Sequence, residues 1–335
     1  MQVLQYANYG KPDDVLRLAN IEVEKPGDGQ IGVQVLAVPI HLKDLYFMQG
    51  LPGFRMPLPA VPGNQAFGRV TCRGSDLSCF KAGDFVHVLH LEPWKYPLLE
   101  GTWRAETIVP VSSVYLSTCL GDPMQMGLVS SSIISASLLL REALKFGRAG
   151  WLIQNAANSS CGRFLIQLAR AEGIRTINVV RRDDVRDELY DIGADVVVQD
   201  HGGLPDEVAK ILKDAEVIVA LDAVGGASAA TLARCLGPGG VIISYGMASG
   251  RPAEIGQDLM IFRGICHRGF LMDRSIKELR PDERSELFRK LSTAVGEKNL
   301  VGKIAQAYSL GDFKRAIKHA QMTSRSGKVM LLPNG

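Results

Sequence analysis

Residues 151–182 read WLIQNAANSSCGRFLIQLARAEGIRTINVVRR and decide the fold. A short apolar run at Trp151–Ile153 predicts a buried strand, and small polar residues follow it from Asn155 to Gly162. Apolar residues then recur at helical spacing between 164 and 169, and a second apolar run spans Thr176–Val180. Strand, tight turn, helix and strand in this order predict the first unit of a doubly wound parallel sheet, which binds a dinucleotide at the turn.

The turn itself departs from the glycine-rich pattern of dinucleotide sites. Gly162 alone occupies the position of a pattern glycine, so the turn is also compatible with an ordinary connection between a strand and a helix. About 20 residues further on, where an acid would bind a ribose 2′-hydroxyl, the chain has Arg181 and Arg182. Two guanidinium groups suit a 2′-phosphate, which favours NADPH; the alternative is a pair of solvated arginines.

Composition places the chain among ordinary globular proteins of about two domains. It has 335 residues, of which 46% are hydrophobic and 22% charged, and a formal net charge of +3. This balance gives no indication of a partner such as nucleic acid. The six cysteines show neither a C-x-x-C pair nor zinc-finger spacing, so we expect reduced thiols in a cytoplasmic protein.

We expect neither a targeting segment nor a membrane span. Met1 leads directly into a short apolar run, without the basic segment and the long apolar segment of a signal peptide. The most apolar stretch, Gly127–Leu140, carries five serines and is shorter than the roughly 20 residues that a membrane-spanning helix needs.

The order of the predicted elements indicates two domains. Residues 1 to about 115 predict short strands separated by Gly and Pro, as in a small barrel-like domain. A helix is expected over 122–146, and strands then alternate with helices up to about residue 260. The remaining expected elements are a strand over 266–271, helices over 282–296 and 311–323, and a closing strand over 328–332. We expect the segment after 261 to pack back onto the N-terminal domain. The expected boundaries are a β-rich domain over 1–118 and 262–335, and a dinucleotide-binding domain over 119–261.

Five strings spread along the chain carry a family resemblance: GTWRAE (101–106), IQNAANS (153–159), RTINVVR (175–181), AVGG (223–226) and RGF (268–270). Through them the chain resembles zinc-independent members of the medium-chain dehydrogenase/reductase superfamily. More narrowly, it is similar to the mitochondrial-type trans-2-enoyl thioester reductases, with the quinone reductases next nearest. The resemblance implies an α/β protein with a GroES-like β-rich catalytic domain and a Rossmann domain that binds NADPH.

The resemblance also implies an activity, the reduction of a carbon–carbon double bond conjugated to a carbonyl group. Hydride would pass from the nicotinamide to the β-carbon, and a proton would then reach the α-carbon. The implied substrate is a small molecule, a 2-enoyl thioester or an enone, with a quinone as the alternative. Proteins of this type are commonly homodimers, so a homodimer is expected by analogy.

Carried over by position, the cofactor-binding residues fall into three groups. Asn158, Ser159, Ser160 and Cys161 would line the pyrophosphate, and Arg181, Arg182 and Asp183 would lie at the adenosine 2′-phosphate. The nicotinamide side would be flanked by Tyr245, Gly246, Met247, Ala248, Phe270, Leu271 and Met272. Lys328 would lie near the cofactor or the substrate.

Two departures from the family pattern affect the chemistry. The family places a proton-donating tyrosine in a loop of the form Q-G-x-Y, where this chain has Pro52. Ser132 aligns with a family asparagine that contacts the cofactor. The string Asp44-Leu45-Tyr46 matches a D-x-Y string of the quinone reductases, so Tyr46 is the expected proton donor, against the alternative of a structural tyrosine. Tyr96 and His41 are weaker candidates.

No metal site is expected. Zinc-dependent relatives carry a His-Glu pair where this chain has Asn64-Gln65, and amides are not usual zinc ligands. Three hypotheses for the function remain open: an enoyl or enone reductase, a quinone reductase, and an NADPH-binding sensor that has lost its chemistry.

Overall fold

A computed structural model describes residues 1–22, 25–51, 55–75, 79–90, 101–147 and 150–335. The chain divides into two compact units, residues 1–134 with 279–335, and residues 135–278. The strands are β1 Gln2–Gln5, β2 Arg17–Asn20, β3 Gln30–Pro39, β4 Gln65–Arg73, β5 Phe85–Leu89, β6 Glu106–Pro110, β7 Val114–Leu116, β8 Trp151–Gln154, β9 Arg175–Val180, β10 Val196–Gln199, β11 Val219–Asp222, β12 Val241–Ser244, β13 Cys266–Gly269, β14 Ile304–Tyr308 and β15 Lys328–Leu331.

The helices complete the inventory of the described residues. The α-helices are α1 Pro12–Val15, α2 Leu42–Gln49, α3 Pro123–Met126, α4 Ile134–Ala143, α5 Ser160–Ala171, α6 Arg186–Asp191, α7 Leu204–Leu212, α8 Gly226–Cys235, α9 Gln257–Phe262, α10 Met272–Lys277, α11 Pro281–Gly296 and α12 Phe313–Gln321. Single 3-10 turns lie at Val111–Ser113, Leu144–Phe146 and Asp183–Val185, and a π-helical turn lies at Val129–Ile133.

The second unit is built on a parallel sheet with the strand order β10-β9-β8-β11-β12-β13. Numbered within the unit, this is the order 3-2-1-4-5-6 of dinucleotide-binding folds. Successive residues of β10 face opposite sides of the sheet, so Val197 and Val198 enter different cores. One core includes Leu189 of α6, and the other includes Val208 of α7 and Leu232 of α8. The predicted doubly wound sheet is therefore confirmed.

The first unit is a mainly antiparallel sheet with the order β14-β15-β3-β4-β5-β7, and β6 pairs with β3. Its core includes aliphatic residues of β3, β4 and β5. The C-terminal strand β15 pairs with β3, through Met330 opposite Pro39 and Leu331 opposite Val38. Residues 279–335 belong to the same compact unit as residues 1–134.

The division between the units differs from the expected boundaries. β13 pairs with β12, so residues 266–269 belong to the parallel sheet and not to the β-rich unit, which resumes at residue 279. The first boundary lies at residue 134, inside the helical run, and not at residue 118. A strand's partner and a unit boundary inside a continuous helix leave no mark in hydrophobic periodicity, because both depend on contacts distant in sequence.

The length argument against a membrane span does not hold. The helical run Pro123–Phe146 has 24 residues and is long and apolar enough to cross a membrane. However, 72% of its apolar window is buried inside the protein, which is the environment of a core helix.

Candidate functional site

The point where the strand order reverses, between β8 and β11, lies in the second unit and carries a buried polar pair. Asn155 follows β8 and Asp222 ends β11, and their exposed fractions are 1% and 0%. Asn155 Nδ2 donates to Asp222 Oδ1 at 2.7 Å, and Asn155 Oδ1 accepts from the Ala223 amide at 2.7 Å. Asp222 Oδ1 also accepts from the amides of Val224 and Gly225, each at 3.0 Å. These bonds fix the crevice at the carboxyl ends of the strands, where this fold binds its ligand.

Side-chain hydrogen bonds extend this pair across the edge of the sheet. Asp222 Oδ2 accepts from Ser244 Oγ at 2.8 Å, and Ser244 Oγ lies 2.9 Å from His267 Nε2. On the other side, Asn155 Nδ2 donates to Ser228 Oγ, and Ser228 Oγ donates to Asp200 Oδ2 at 2.6 Å. None of these residues was predicted from the sequence to belong to the site. Because cofactors bind at strand ends, the position of Asp222 after a buried strand was the signal that could have found it.

The turn into α5 has a shape that only a glycine at position 162 permits. Ser159 caps the helix, since its Oγ accepts from the Gly162 amide at 3.1 Å. A Cβ atom added at Gly162 would lie 2.7 Å from the Ala157 carbonyl oxygen and 2.8 Å from that of Ala156. Gln154 Nε2 donates to the Gly162 carbonyl at 3.1 Å. The 12-residue helix α5 therefore starts directly at the crevice with its first amides and its positive dipole end.

Two hydroxyl groups beside this turn are suited to phosphate oxygens. Ser160 Oγ is buried and makes no hydrogen bond with the described residues, and the buried Tyr245 hydroxyl interacts with Cys161 and Ser159. Burial, followed by the nearby Cys161 and Asp222, raises the pKa of Tyr245 well above its ordinary value, so the phenol keeps its proton. A buried hydroxyl without an acceptor is costly, and a phosphate would supply the acceptor for Ser160. The predicted group Asn158 to Cys161 thus fits a pyrophosphate.

Two positively charged side chains follow the end of β9. Arg181 and Arg182 are the first residues after the strand, and Arg182 Nε lies 3.3 Å from Asp184 Oδ1. Asp183, which we expected at the 2′-phosphate, pairs its Oδ1 with the Arg186 guanidinium at 2.6 Å. The carboxylate that would select a 2′-hydroxyl is thus replaced by guanidinium groups, and this arrangement fits a 2′-phosphate.

An arginine that the sequence did not reveal fixes the same turn. Arg163 on α5 donates from Nε to the Asn158 carbonyl at 3.3 Å and forms an ion pair with Glu188 of α6. Arg163 is buried, and an arginine inside a helix gives no sequence signal for this role.

The residues predicted for the nicotinamide side lie at the ends of β12 and β13. The Tyr245 amide donates to the Asp222 carbonyl at 2.9 Å, and the Phe270 amide donates to the Ser244 carbonyl at 2.8 Å. A Cβ atom at Gly246 would lie 2.5 Å from the Ala223 carbonyl oxygen, so this approach needs a glycine. Further along the two loops, the side chains of Met247 and Leu271 are half-exposed. The Ala248 amide donates to the Ala223 carbonyl, and Met272 Sδ accepts from the Ser135 hydroxyl.

Ser132 and Lys328 belong to the first unit. Ser132 is buried in the π-helical turn, a distortion frequent at functional sites. The Lys328 ammonium donates to His41 Nδ1 at 2.8 Å, which leaves the ring proton on Nε2. Burial, followed by the charges of Lys328 and its cationic neighbours, holds the pKa of His41 well below its ordinary value.

Tyr46 lies on α2 and is half-buried, and burial raises its pKa, so it is protonated at neutral pH. The helix ends at Gly50, which has a φ of +65° and packs against the Tyr9 ring. Pro52 and Tyr96 lie outside the described residues.

The segment that binds zinc in related enzymes packs here against the GTWRAE string. A Cβ atom at Gly63 would lie 2.3 Å from Trp103 Cδ1, and the Thr102 amide donates to the Gly63 carbonyl at 2.9 Å. Asn64 Nδ2 donates to the His90 carbonyl at 3.3 Å. Among the described residues, no three His, Cys, Asp or Glu side chains group as metal ligands would. The absence of a metal stays a prediction, which elemental analysis of the purified protein tests.

Comparison with known proteins places this geometry in a family. The model of the alcohol dehydrogenase GroES-like domain matches residues 27–115, and that of the zinc-binding dehydrogenases matches residues 161–291. The mitochondrial enoyl-[acyl-carrier-protein] reductase of Rattus norvegicus is 32% identical, over 99% of this chain and 88% of its own.

Solved structures show the same fold. A protein from Bacillus thuringiensis, provisionally named an NADPH:quinone reductase, is 26% identical with a TM-score of 0.89, over 99% of this chain and 98% of its own. The complex of Etr1p with NADP and crotonyl-CoA is 23% identical with a TM-score of 0.84, over 99% of each chain. The chain therefore belongs to the enoyl-[acyl-carrier-protein] reductase family of the medium-chain dehydrogenase/reductase superfamily, whose members are oxidoreductases.

Proposed function

We propose that this chain is an NADPH-dependent reductase of an activated carbon–carbon double bond, in a 2-enoyl thioester or an enone. One observation supports the choice of NADPH as the cofactor: the turn into α5 at the strand-order reversal is followed by Arg181 and Arg182 at the end of β9. The substrate half rests on the family, because the rat relative is named an enoyl-[acyl-carrier-protein] reductase and Etr1p was solved with crotonyl-CoA.

The residues of the second unit would hold the cofactor by charge and hydrogen bonds. The amides at the start of α5, with Ser160 and Tyr245, would bind the pyrophosphate, and Arg181 and Arg182 would bind the 2′-phosphate. The loop Tyr245–Ala248 would orient the nicotinamide ring. When bound, NADPH supplies the hydride for the β-carbon of the substrate.

The proton for the α-carbon would come from Tyr46. Its raised pKa keeps the phenol protonated until an enolate needs the proton, and solvent would then restore it. Pro52 carries no hydroxyl, so the family's usual donor is missing from the Q-G-x-Y position.

A quinone reductase is the second candidate, and Pro52 is the observation that favours it. Quinone oxygens take protons from water, so the reaction does not need a protein acid at that position. The Bacillus thuringiensis neighbour carries a quinone reductase name.

The experiment that separates these functions is NADPH oxidation by a panel of acceptors, followed by the loss of cofactor absorbance. Crotonyl-CoA and an enone should be reduced if the proposal is right. Reduction of quinones alone would favour the second candidate. NADPH binding without oxidation by any acceptor would favour the third hypothesis, a sensor without chemistry.

We also propose a homodimer formed at β13. Among the described residues β13 pairs with β12 alone, so its outer edge has unpaired amide and carbonyl groups. Near it in sequence, Ile261 and Phe262 are exposed by 69% and 84%. Analytical ultracentrifugation should show a dimer for the wild type and a monomer for Phe262→Glu. A monomeric wild type would contradict this proposal.

For the compartment, we propose a reducing environment, with the cytoplasm as first choice. The six cysteines are free thiols. The enoyl reductase relatives from Rattus norvegicus and Arabidopsis thaliana are named as mitochondrial proteins, so the mitochondrial matrix is the alternative. Microscopy of the tagged full-length protein in its own cells distinguishes the two.

A further inference from the structure

A buried carboxylate that forms no salt bridge lies at the carboxyl edge of the parallel sheet. Asp222, the last residue of β11, is 0% exposed. Its carboxyl group accepts four hydrogen bonds, from Asn155 Nδ2, from the amides of Val224 and Gly225, and from Ser244 Oγ. It only accepts, as an ionised carboxylate does. Among the described residues, no lysine, arginine or histidine forms a salt bridge with it.

The hydrogen-bond network around Asp222 brings it no counter-charge. On one side the network leads through Asn155 and Ser228 to a second carboxylate, that of Asp200. On the other side it leads through Ser244 to His267, which is exposed. Neutral donors stabilise a buried carboxylate but leave its charge in place, whereas buried charges in folded proteins are usually paired. The fold therefore sets a fixed negative charge at the crevice, where a positive charge on a ligand would be stabilised.

The proposed cofactor gains such a charge during the reaction. Hydride transfer moves one proton and two electrons from the dihydronicotinamide ring to the β-carbon of the substrate, which becomes an enolate and then takes up a proton. The ring, neutral in NADPH, carries one positive charge in NADP⁺. The loop expected to orient this ring starts beside the carboxylate, because Ser244 donates to it and the Tyr245 amide donates to the Asp222 carbonyl at 2.9 Å.

We propose that Asp222 is an electrostatic residue of the reductase, whose buried charge stabilises the positive nicotinamide ring and so favours the departure of hydride. The inference rests on the proposed NADPH-dependent function and assigns a second role to a residue that also holds its loop by hydrogen bonds. The two roles are separable, because a neutral amide at position 222 would keep an acceptor for the same donors. The phosphate charges are equal in NADPH and NADP⁺ and cancel when the two affinities are compared.

The test measures the dissociation constants of NADP⁺ and NADPH by calorimetric titration of the wild type, Asp222→Asn and Asp200→Asn. In Asp222→Asn, the ratio Kd(NADP⁺)/Kd(NADPH) should rise by at least about fivefold, because only the oxidised ring loses an attraction. Asp200→Asn is the matched control, since it removes the other carboxylate of the network at the end of β10, three strands from β11. It should leave the ratio unchanged. An unchanged or lower ratio in Asp222→Asn, or an equal rise in Asp200→Asn, would overturn the proposal.

A second variant decides the question if Asp222→Asn does not fold. His267 is exposed, and its Nε2 lies 2.9 Å from Ser244 Oγ, so His267→Lys adds a permanent positive charge near the carboxylate. The ratio should rise in His267→Lys relative to the neutral control His267→Gln, and equal ratios would overturn the proposal. A wild type that binds neither form would reject the proposed function, and this inference with it. Binding of both forms with unchanged ratios would reject this inference alone.

Discussion

Asn155 and Asp222 join the ends of β8 and β11 by a 2.7 Å hydrogen bond, at the point where the strand order reverses. The buried carboxylate of Asp222 is also bonded to the amides of its own loop and to Ser244. The bond thus couples the turn after β8 to the loop after β11. In the proposed function these are the turn for the pyrophosphate and a loop next to the nicotinamide side.

Replacing Asn155 by alanine should weaken both folding and cofactor binding. The change removes the bond to Asp222 and leaves a buried carboxylate with fewer donors, so we expect a loss of about 1–3 kcal/mol in the free energy of unfolding. NADPH affinity should fall as well, because the crevice is no longer fixed. Urea denaturation and cofactor titration measure the two effects. The control Asn299→Ala removes an exposed amide and should change neither the stability nor the NADPH affinity. An Asn155→Ala protein as stable as the wild type would contradict the account.

Replacing Gly162 by alanine should abolish tight cofactor binding. The new Cβ atom would lie within 2.8 Å of two carbonyl oxygens, so the turn must open and its amides must move. Fluorescence titration with NADPH should show at least a tenfold weaker dissociation constant. The control is Gly202→Ala, at a position with nothing within 4 Å of the added atom. Wild-type affinity in Gly162→Ala would exclude this turn as the phosphate site.

Arg181 and Arg182 should select NADPH over NADH. Losing one charge-assisted hydrogen bond to the 2′-phosphate costs about 1.5–3 kcal/mol, or roughly 10- to 150-fold in affinity. Arg181→Ala should therefore bind NADPH more weakly and bind NADH as the wild type does. The control is Arg315→Ala, which removes an exposed guanidinium of the first unit. Equal affinities of the wild type for the two cofactors would show that the arginines do not bind a 2′-phosphate.

Acid should destabilise the protein below about pH 6.5, the ordinary pKa of histidine. Burial lowers the pKa of His87 to about 3 and that of His90 to about 4, so the unfolded chain takes up these protons first as the pH falls. The free energy of unfolding then decreases toward low pH, by up to about 1.4 kcal/mol per pH unit for each such histidine. Asp44 acts in the opposite direction, because its pKa is raised to about 6, mainly by burial. The contribution of this carboxyl group to the free energy of unfolding is therefore lost as the pH rises from about 4 to about 6.

The variant that tests this pH dependence is His87→Phe, which keeps a ring among the aromatic neighbours Phe67 and Phe288. Urea denaturation between pH 7 and pH 5 should show a smaller decrease for the variant than for the wild type. Identical pH slopes would mean that the pKa of His87 is the same in the folded and the unfolded protein, which would contradict the lowered pKa.

The sequence predicted the fold and the cofactor-binding residues better than the substrate-binding residues. Strand, turn and helix at 151–171 are local patterns, and Arg181 follows its strand directly, so periodicity and spacing were sufficient there. Asn155 and Asp222 are 67 residues apart, and their contact depends on which strands become neighbours. His90 follows β5 directly, and that its buried ring has no partner among the described residues is visible only when its surroundings are known.

The most direct test of the central claim follows the hydride itself. NADPH that carries deuterium in the transferred position is mixed with crotonyl-CoA in single turnover, once with the wild type and once with Tyr46→Phe. The butyryl product is then analysed by mass spectrometry. The account predicts deuterium at the β-carbon, a solvent proton at the α-carbon, and at least tenfold slower turnover in Tyr46→Phe. Crotonyl-CoA left unreduced, or a product without deuterium at the β-carbon, would contradict the account.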